Sequence, residues 1–203
     1  PSARVLHHCF AKPTRQWQRA LILGVPEVNI PYVQEEVTSL ASLFQESTSL
    51  IGEEANLATL RTQAPYADLI HLAWHGQFRP DNPLFSALRL SDSWLTVRDT
   101  YHLDLQQCGL VVLSACETGV GALAPGDDLI GLTRGFISAG APSLIVSLWM
   151  VDDEITAQLM RTFYQRLLAG DNPAAALQFA QLELAKQHPH PFFWSPFVLL
   201  GRW

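Results

Sequence analysis

The sequence is poor in cysteine and in charged residues, and it has no long apolar run. Its 203 residues include three cysteines (Cys9, Cys108 and Cys116), and no two of them are spaced as C-x-x-C. We therefore expect no disulfide framework, and this cysteine usage is typical of a reducing cytoplasm. The net charge is −6 and no basic stripe is present, which argues against nucleic acid as a partner. No apolar run approaches the about 18 residues that a membrane span needs, and no export signal is present, so we expect no membrane partner.

Apolar residues are plentiful enough to form a large core, since they make up 48% of the chain. Runs rich in Val, Ile and Leu alternate with segments whose apolar residues recur at helical spacing. This alternation predicts one α/β domain, a three-layer sandwich with a mostly parallel central sheet. The predicted strands are residues 19–25, 48–51, 68–75, 110–116, 144–149 and 197–200, with a hairpin near 87–90. The predicted helices bury Val33, Val37, Leu40 and Phe44, then Leu57 and Leu60, Leu129, Leu132 and Phe136, Ile155, Leu159, Phe163 and Leu167, and Leu177 and Leu184.

Two of the predicted strands end in residues that could perform catalysis. Residues 110–116 end in Cys116 before a glycine-rich loop, and residues 68–75 end in His75 before Gly76. The carboxyl ends of parallel strands are where α/β proteins place their chemistry. The two strand ends therefore predict a Cys-His site.

A cysteine attacks carbonyl groups as thiolate, and the pKa of a free thiol is about 8.5. A neighbouring imidazole can accept the thiol proton at neutral pH, so His75 is the candidate base and Cys116 the candidate nucleophile. Gly76 has no Cβ, so its amide can approach a substrate closely. The amides of Gly76 and Cys116 are the candidate oxyanion donors.

The remaining cysteines and histidines have simpler interpretations. Free cysteines are usually buried, so Cys9 and Cys108 are predicted to pack in the core. His71 is predicted to be a hydrogen-bonded core histidine. It lies about 13 Å from His75 if both belong to one strand, which is too far for a shared metal, so we expect no metal and no cofactor.

Five segments of the chain, taken together, resemble the CHAT domain, a caspase-like and separase-related cysteine peptidase family of clan CD. They are residues 68–76 (DLIHLAWHG), 111–119 (VVLSACETG), 126–128 (GDD), 145–154 (IVSLWMVDDE) and 193–201 (FWSPFVLLG). The resemblance covers residues 19–203 and leaves residues 1–18 as an N-terminal extension or the end of an upstream segment. It implies a caspase-like sandwich and cysteine endopeptidase activity, with His75 as base, Cys116 as nucleophile and Gly76 as oxyanion donor.

The resemblance also implies a setting for the domain. CHAT domains usually follow tetratricopeptide repeats in bacterial proteins, so we expect an upstream repeat domain or regulatory partner and a protein or peptide substrate. The sequence begins with Pro1 rather than Met, and we expect it to be part of a longer protein. The final strand is one candidate for the edge of the sheet.

Substrate preference is predicted from the residues near the dyad. The family pattern commonly has Thr at Trp74 and Pro at Met150, and Met150 lies near where related proteases shape the primary specificity pocket. Acidic side chains near this site would favour a basic substrate residue through charge-assisted pairing. They are Glu117, Asp127, Asp128, Asp152 and Asp153. Each aspartate also lies where a helix N-cap is expected, and that alternative stays open.

Two other functions would leave the same sequence pattern. The chain could keep the fold as a binding or scaffolding module without turnover, because a fold does not fix an activity. It could also carry out another Cys-His acyl transfer, such as hydrolysis of small amides, without an extended peptide groove.

Overall fold

Strands and helices alternate along the chain as the sequence pattern predicts. The computed structural model describes residues 3–13, 16–26, 32–77, 87–117, 127–149 and 152–203, and for residues 74–77, 115–117 and 127–130 it describes the backbone. Within these residues the strands are Arg19–Gly24 (β1), Glu46–Ile51 (β2), Leu69–Gln77 (β3), Ala87–Arg89 (β4), Trp94–Thr96 (β5), Leu110–Glu117 (β6), Ser143–Ser147 (β7) and Phe197–Gly201 (β8). The α-helices are Ala3–Ala11 (α1), Val33–Ala41 (α2), Leu57–Gln63 (α3), Val97–Thr100 (α4), Asp127–Ala139 (α5), Asp153–Leu168 (α6), Pro173–Gln187 (α7) and Pro191–Trp194 (α8).

The strands form one sheet with the order β2-β1-β3-β6-β7-β8. The first five of these strands run parallel, and β8 pairs antiparallel to β7 at one edge. The β4–β5 hairpin joins through β4, which pairs antiparallel with the end of β3. The predicted mostly parallel sheet is confirmed, and so is the edge position of the final strand within the described residues.

Two apolar layers cover the sheet, because successive residues of each strand point to opposite faces. On one face, Ile22 of β1 packs with Val37 of α2 and Phe163 of α6, and α7 joins the same cluster. On the other face, Leu23 of β1 packs with Leu60 of α3 and Phe136 of α5. The predicted three-layer arrangement is therefore present.

The N-terminal helix α1 was not predicted from the sequence. Its Cys9 is buried in the core, and Phe10 contacts Trp203 edge to face at 4.6 Å between ring centroids. Arg202 donates a hydrogen bond to the carbonyl of Lys12 just beyond the helix. Contacts with the far C-terminus stabilise this nine-residue helix, and a local pattern cannot show them.

Two predicted boundaries need correction. Strand β7 ends at Ser147 rather than at Trp149, because the Ser147 hydroxyl donates to the carbonyl of Trp149 and turns the chain there. Helix α5 begins at Asp127, so Asp127 and Asp128 lie in its first turn rather than at the capping residue before it. Carboxylates remain favourable in a first turn, where they face the positive end of the helix dipole.

Candidate functional site

His75 and Cys116 are paired residues on the two central strands of the sheet. Strands β3 and β6 are adjacent and parallel, and their register sets His75 opposite Cys116 and Gly76 opposite Glu117. Both residues lie near the carboxyl ends of their strands, at the carboxyl edge of the sheet. The sequence-based prediction that these strands are adjacent is confirmed.

The ends of β3 and β6 extend past the strands on either side. The pairing of β1 with β3 ends at Gly24 and Ala73, and the pairing of β6 with β7 ends at Leu113 and Val146. The residues beyond these points, including His75 and Cys116, form a projection of β3 and β6 past β1 and β7, which β4 joins at Gly76 and Gln77. The carboxyl ends of sheet strands are where α/β proteins commonly bind their ligands.

The β4–β5 hairpin covers the outer side of this projection. β6 occupies one side of β3 as far as Gly76, so β4, which pairs Leu88 with Gly76, takes the opposite side. The hairpin is anchored by the buried Leu88 and Leu95. One side of the candidate site is therefore bounded by a packed element.

A buried polar network in the core joins β3, α2 and α6. His71 in β3 is fully buried, and its Nδ1 lies 2.9 Å from the Tyr164 hydroxyl of α6. Its Nε2 lies 3.1 Å from Oε1 of Glu36 in α2. The prediction that His71 is a hydrogen-bonded core histidine is confirmed, while its two partners were not foreseen.

The raised pKa of Tyr164 keeps a hydrogen-bond donor beside His71. Burial raises the pKa of Tyr164 well above its usual value, and the nearby Glu36 raises it further, so the phenol keeps its proton. The Tyr164 O–H can then donate to Nδ1 of His71 while Nε2–H donates to Glu36. Both ring nitrogens of His71 and the Tyr164 hydroxyl therefore have a hydrogen-bond partner in the core.

Cys9 and Cys108 are packing residues, as predicted. Both are buried, and burial raises the pKa of each thiol, that of Cys108 to about 12. The Cys108 thiol also donates to the carbonyl of Leu110 at 3.2 Å. Neither side chain is a thiolate near neutral pH, so neither is a candidate nucleophile.

The acidic residues predicted near the site occupy distinct positions. Asp152 is the N-cap of α6, and its Oδ1 accepts from the backbone N–H groups of Glu154 and Ile155. Asp153 is the first residue of α6, Asp127 is the first residue of α5, and Glu117 follows Cys116 in β6. Met150 lies outside the described residues. The N-cap interpretation is confirmed for Asp152.

An aromatic pair beside the site was missed at the sequence level. The indole Nε1 of Trp149 donates to the carbonyl of Phe192 in α8 at 3.0 Å. The two rings stack with centroids 6.4 Å apart and an interplanar angle of 27°. The run Pro191-Phe192-Phe193-Trp194 was the available signal, because consecutive aromatic residues beside a proline are unusual for a core helix.

No group of three or more potential metal ligands lies together in the described part of the chain. Among the helices of that same part, none combines the length and apolar character that crossing a bilayer needs.

The comparison with protein families decides where the chain belongs, because residues 1–202 match the family described as the CHAT domain. The chain belongs to the CHAT domain family. Tetratricopeptide repeat protein 28 of Mus musculus is 35% identical to this CHAT domain over 114 residues, or 55% of this chain and 5% of the mouse protein. The Homo sapiens protein of the same name has the same identity over the same share of this chain and 4% of its own length. The CHAT domain therefore matches only a small part of these relatives.

Two solved structures share the fold of this CHAT domain. The Arg-specific cysteine proteinase gingipain R has a TM-score of 0.65 at 11% identity, over 92% of this chain and 46% of the proteinase chain. The separase of Saccharomyces cerevisiae, in complex with securin, has a TM-score of 0.64 at 12% identity, over 98% of this chain and 13% of the matched chain. At these identities the likeness shows the fold, which is that of caspase-like cysteine proteases.

Proposed function

We propose that this CHAT domain is a cysteine endopeptidase whose nucleophile is Cys116 and whose base is His75. The observation that supports this most directly is the register of the two central strands, which pairs these residues at the projecting carboxyl ends of β3 and β6. The caspase-like fold supports it as well, since the similar structures include cysteine peptidases.

The two-residue period of a strand predicts that positions 75 and 116 belong to one face of the sheet. Leu69 and Ala73 of β3 pack in the layer of α2, α6 and α7, and so does Val112 of β6. Alternate residues of a strand share a face. Position 75 is two residues after Ala73, and position 116 is four residues after Val112, so both positions fall on the face of this layer. Neighbouring strands lie about 5 Å apart, so residues paired across them are close enough for a Cys-His proton transfer after small adjustments.

The proposed reaction proceeds in two stages. His75 takes the Cys116 proton, the thiolate attacks the peptide carbonyl carbon, and the amides of Gly76 and Cys116 stabilise the oxyanion. The imidazolium then donates its proton to the leaving amine as the C–N bond breaks, which leaves a thioester on Cys116. Water attacks the thioester with His75 as base, which releases the acid and restores the thiol.

We further propose that the acidic residues around the site favour a basic residue at the scissile bond. Glu117, Asp127, Asp152 and Asp153 all belong to segments at the carboxyl ends of β6 and β7, and Met150 follows β7 in the chain. A carboxylate there would pair with Arg or Lys through charge-assisted hydrogen bonds. A peptide library tests this, and cleavage after small apolar residues instead would contradict it.

The setting of the domain is also a proposal. The curated relatives are tetratricopeptide repeat proteins many times longer than this chain, which supports an upstream repeat domain or a regulatory partner. A bacterial origin and a cytoplasmic location stay predictions from the sequence, as does the domain boundary between residues 18 and 19.

The decisive experiment is covalent labelling with a peptidyl electrophile, followed by peptide mapping in a mass spectrometer. We expect one labelled thiol at neutral pH, at Cys116, with labelling lost in Cys116→Ala and slowed in His75→Ala. Cys9→Ala is the matched control and should label like the wild type, because Cys9 is buried. Equal labelling of wild type and Cys116→Ala would exclude the peptidase and favour a binding module. Turnover of small amides but not of peptides would instead favour an amidase.

A further inference from the structure

A short aromatic element flanks the candidate catalytic edge on the side of β7. The last paired residues of β6 and β7 are Leu113 and Val146, and Cys116 and Trp149 each lie three residues further along. The strands run parallel, so Trp149 follows β7 at the carboxyl edge of the sheet, the edge at which β6 ends beyond Cys116. Phe192 lies against Trp149 from α8, which leads into the neighbouring β8.

Both backbone groups of Phe192 are held in place. Its N–H donates to Nδ1 of His190 at 3.2 Å, and its carbonyl accepts from the Trp149 indole at 3.0 Å. The carbonyl of Trp149 in turn accepts from the Ser147 hydroxyl at 2.6 Å. The Phe192 backbone is therefore fixed in position, while 46% of the residue's surface is exposed.

Exposure alone does not single out this residue. Phe179 of α7 is 38% exposed and Tyr66 is 66% exposed, and neither lies at the carboxyl edge of the sheet. What distinguishes Phe192 is an exposed ring, a fixed backbone and a contact with Trp149, which follows β7, the strand beside that of Cys116. Rigid, partly exposed aromatic residues beside a reactive group are typical of binding hot spots, because little entropy is lost when they bind.

We propose that Trp149 and Phe192 form a substrate subsite that receives a large apolar or aromatic side chain of the peptide beside the scissile bond. This inference rests on the proposed peptidase function. It adds a second determinant of substrate preference to the proposed preference for a basic residue. The subsite lies on the β7–β8 side of Cys116. The hairpin lies on the opposite side of the β3–β6 pair, so an extended peptide would run across the ends of the central strands towards the aromatic pair.

The test compares kcat/KM for peptides that carry Ala, Leu or Phe at each position flanking the scissile bond. The wild type should prefer Leu or Phe over Ala by about tenfold at one position, since apolar pockets discriminate by this order. Phe192→Ala should reduce that preference to about threefold or less. Phe179→Ala, which removes a similarly exposed ring elsewhere, should keep it.

Two further measurements make the outcome unambiguous. Phe192→Leu keeps an apolar side chain, so it should retain preference for Leu over Ala even if Phe192→Ala unfolds. Labelling of Cys116 by iodoacetamide should proceed at equal rates in the wild type and in both Phe192 variants, because this small reagent does not use the subsite. Unchanged peptide preference in both Phe192 variants, with Cys116 still reactive, would overturn the subsite and leave the peptidase intact. Absence of Cys116 labelling by the peptidyl electrophile in the wild type and in both Phe192 variants would overturn the subsite and the peptidase function together.

Discussion

Glu36 and His71 contact each other in the core, with 3.1 Å between Oε1 of Glu36 and Nε2 of His71. Their side chains are 5% and 0% exposed, so the contact is shielded from water. Buried polar groups are costly unless every one is paired. The Tyr164 hydroxyl completes the pairing on the other side of the imidazole, and the three residues tie α2 and α6 to β3.

Removal of the Tyr164 hydroxyl should therefore destabilise the fold. In Tyr164→Phe the buried Nδ1 of His71 loses its partner, and we expect a loss of about 1–3 kcal/mol in the free energy of unfolding. Urea denaturation measures this loss. Tyr66→Phe, at a 66% exposed tyrosine, is the matched control and should change stability by about 0.5 kcal/mol or less. Equal stability of the two variants would mean that the hydroxyl contributes nothing.

Gly135 of α5 should not tolerate a side chain, although alanine favours helices. A Cβ at Gly135 would overlap Oγ1 of Thr100, a fully buried residue that ends α4. Alanine gains about 1 kcal/mol in helix propensity, but overpacking typically costs about 1–3 kcal/mol, so we expect Gly135→Ala to destabilise the protein. Thermal or urea unfolding tests the sign.

The cause of that loss can be tested by a double-mutant cycle. Thr100→Ala removes the overlapping oxygen, so Gly135→Ala should cost at least about 1 kcal/mol less in the Thr100→Ala background than in the wild type. If the two substitutions were simply additive, the clash with Thr100 would not explain the requirement for glycine.

The buried thiol of Cys108 makes stability depend on alkaline pH. Burial raises the pKa of Cys108 from 9.0 to about 12, so above pH 9 the unfolded chain loses this proton while the folded protein retains it. The unfolded state then binds fewer protons, and the free energy of unfolding falls as pH rises from about 9 to 12. At pH 10 we expect the wild type to have lost about 1 kcal/mol through this group.

Cys108→Ala isolates this effect from other groups that titrate at high pH. The free energy of unfolding of both proteins is measured between pH 7 and 10, and the difference between them should shrink above pH 9. A difference that stays constant across this range would show that Cys108 has the same pKa in both states.

The elements of the fold were predictable because they depend on local patterns. Val37 and Leu40 follow the helical period, and residues 110–113 form an apolar run that a buried parallel strand requires. The direction of β8 was not predictable, because an antiparallel edge strand has the same composition as a parallel one. Helix α1 was missed because its stability depends on Trp203 and Arg202 at the other end of the chain.

The strand positions of the two candidate catalytic residues could be predicted, and the contacts around them could not. Cys116 and His75 each end an apolar run before a glycine-containing segment, so both residues could be placed at the carboxyl edge of the sheet. The partners of His71 lie 35 and 93 residues away in sequence, and no periodic pattern links them. The contact of Trp149 with Phe192 likewise joins segments 43 residues apart. Tertiary packing sets such contacts, and no local pattern shows which residues pair.

Asp152 allows helix capping and substrate recognition to be separated by two substitutions. Its carboxylate accepts two backbone N–H groups at the start of α6, and loss of such a cap typically costs about 1 kcal/mol. We expect Asp152→Ala to lose this stability, as measured by urea denaturation. Asp152→Asn should retain it, because asparagine caps helices as well as aspartate does.

Asp152→Asn removes the negative charge while it keeps the cap. If Asp152 contributes to the proposed preference for a basic residue, kcat/KM for an Arg or Lys peptide should fall relative to an uncharged peptide in Asp152→Asn, without loss of stability. If the preference is unchanged, Asp152 acts as a cap alone, and the charge must come from Glu117, Asp127 or Asp153. A large loss of stability in Asp152→Asn would contradict the capping geometry itself, because the amide oxygen of asparagine can accept the same two hydrogen bonds.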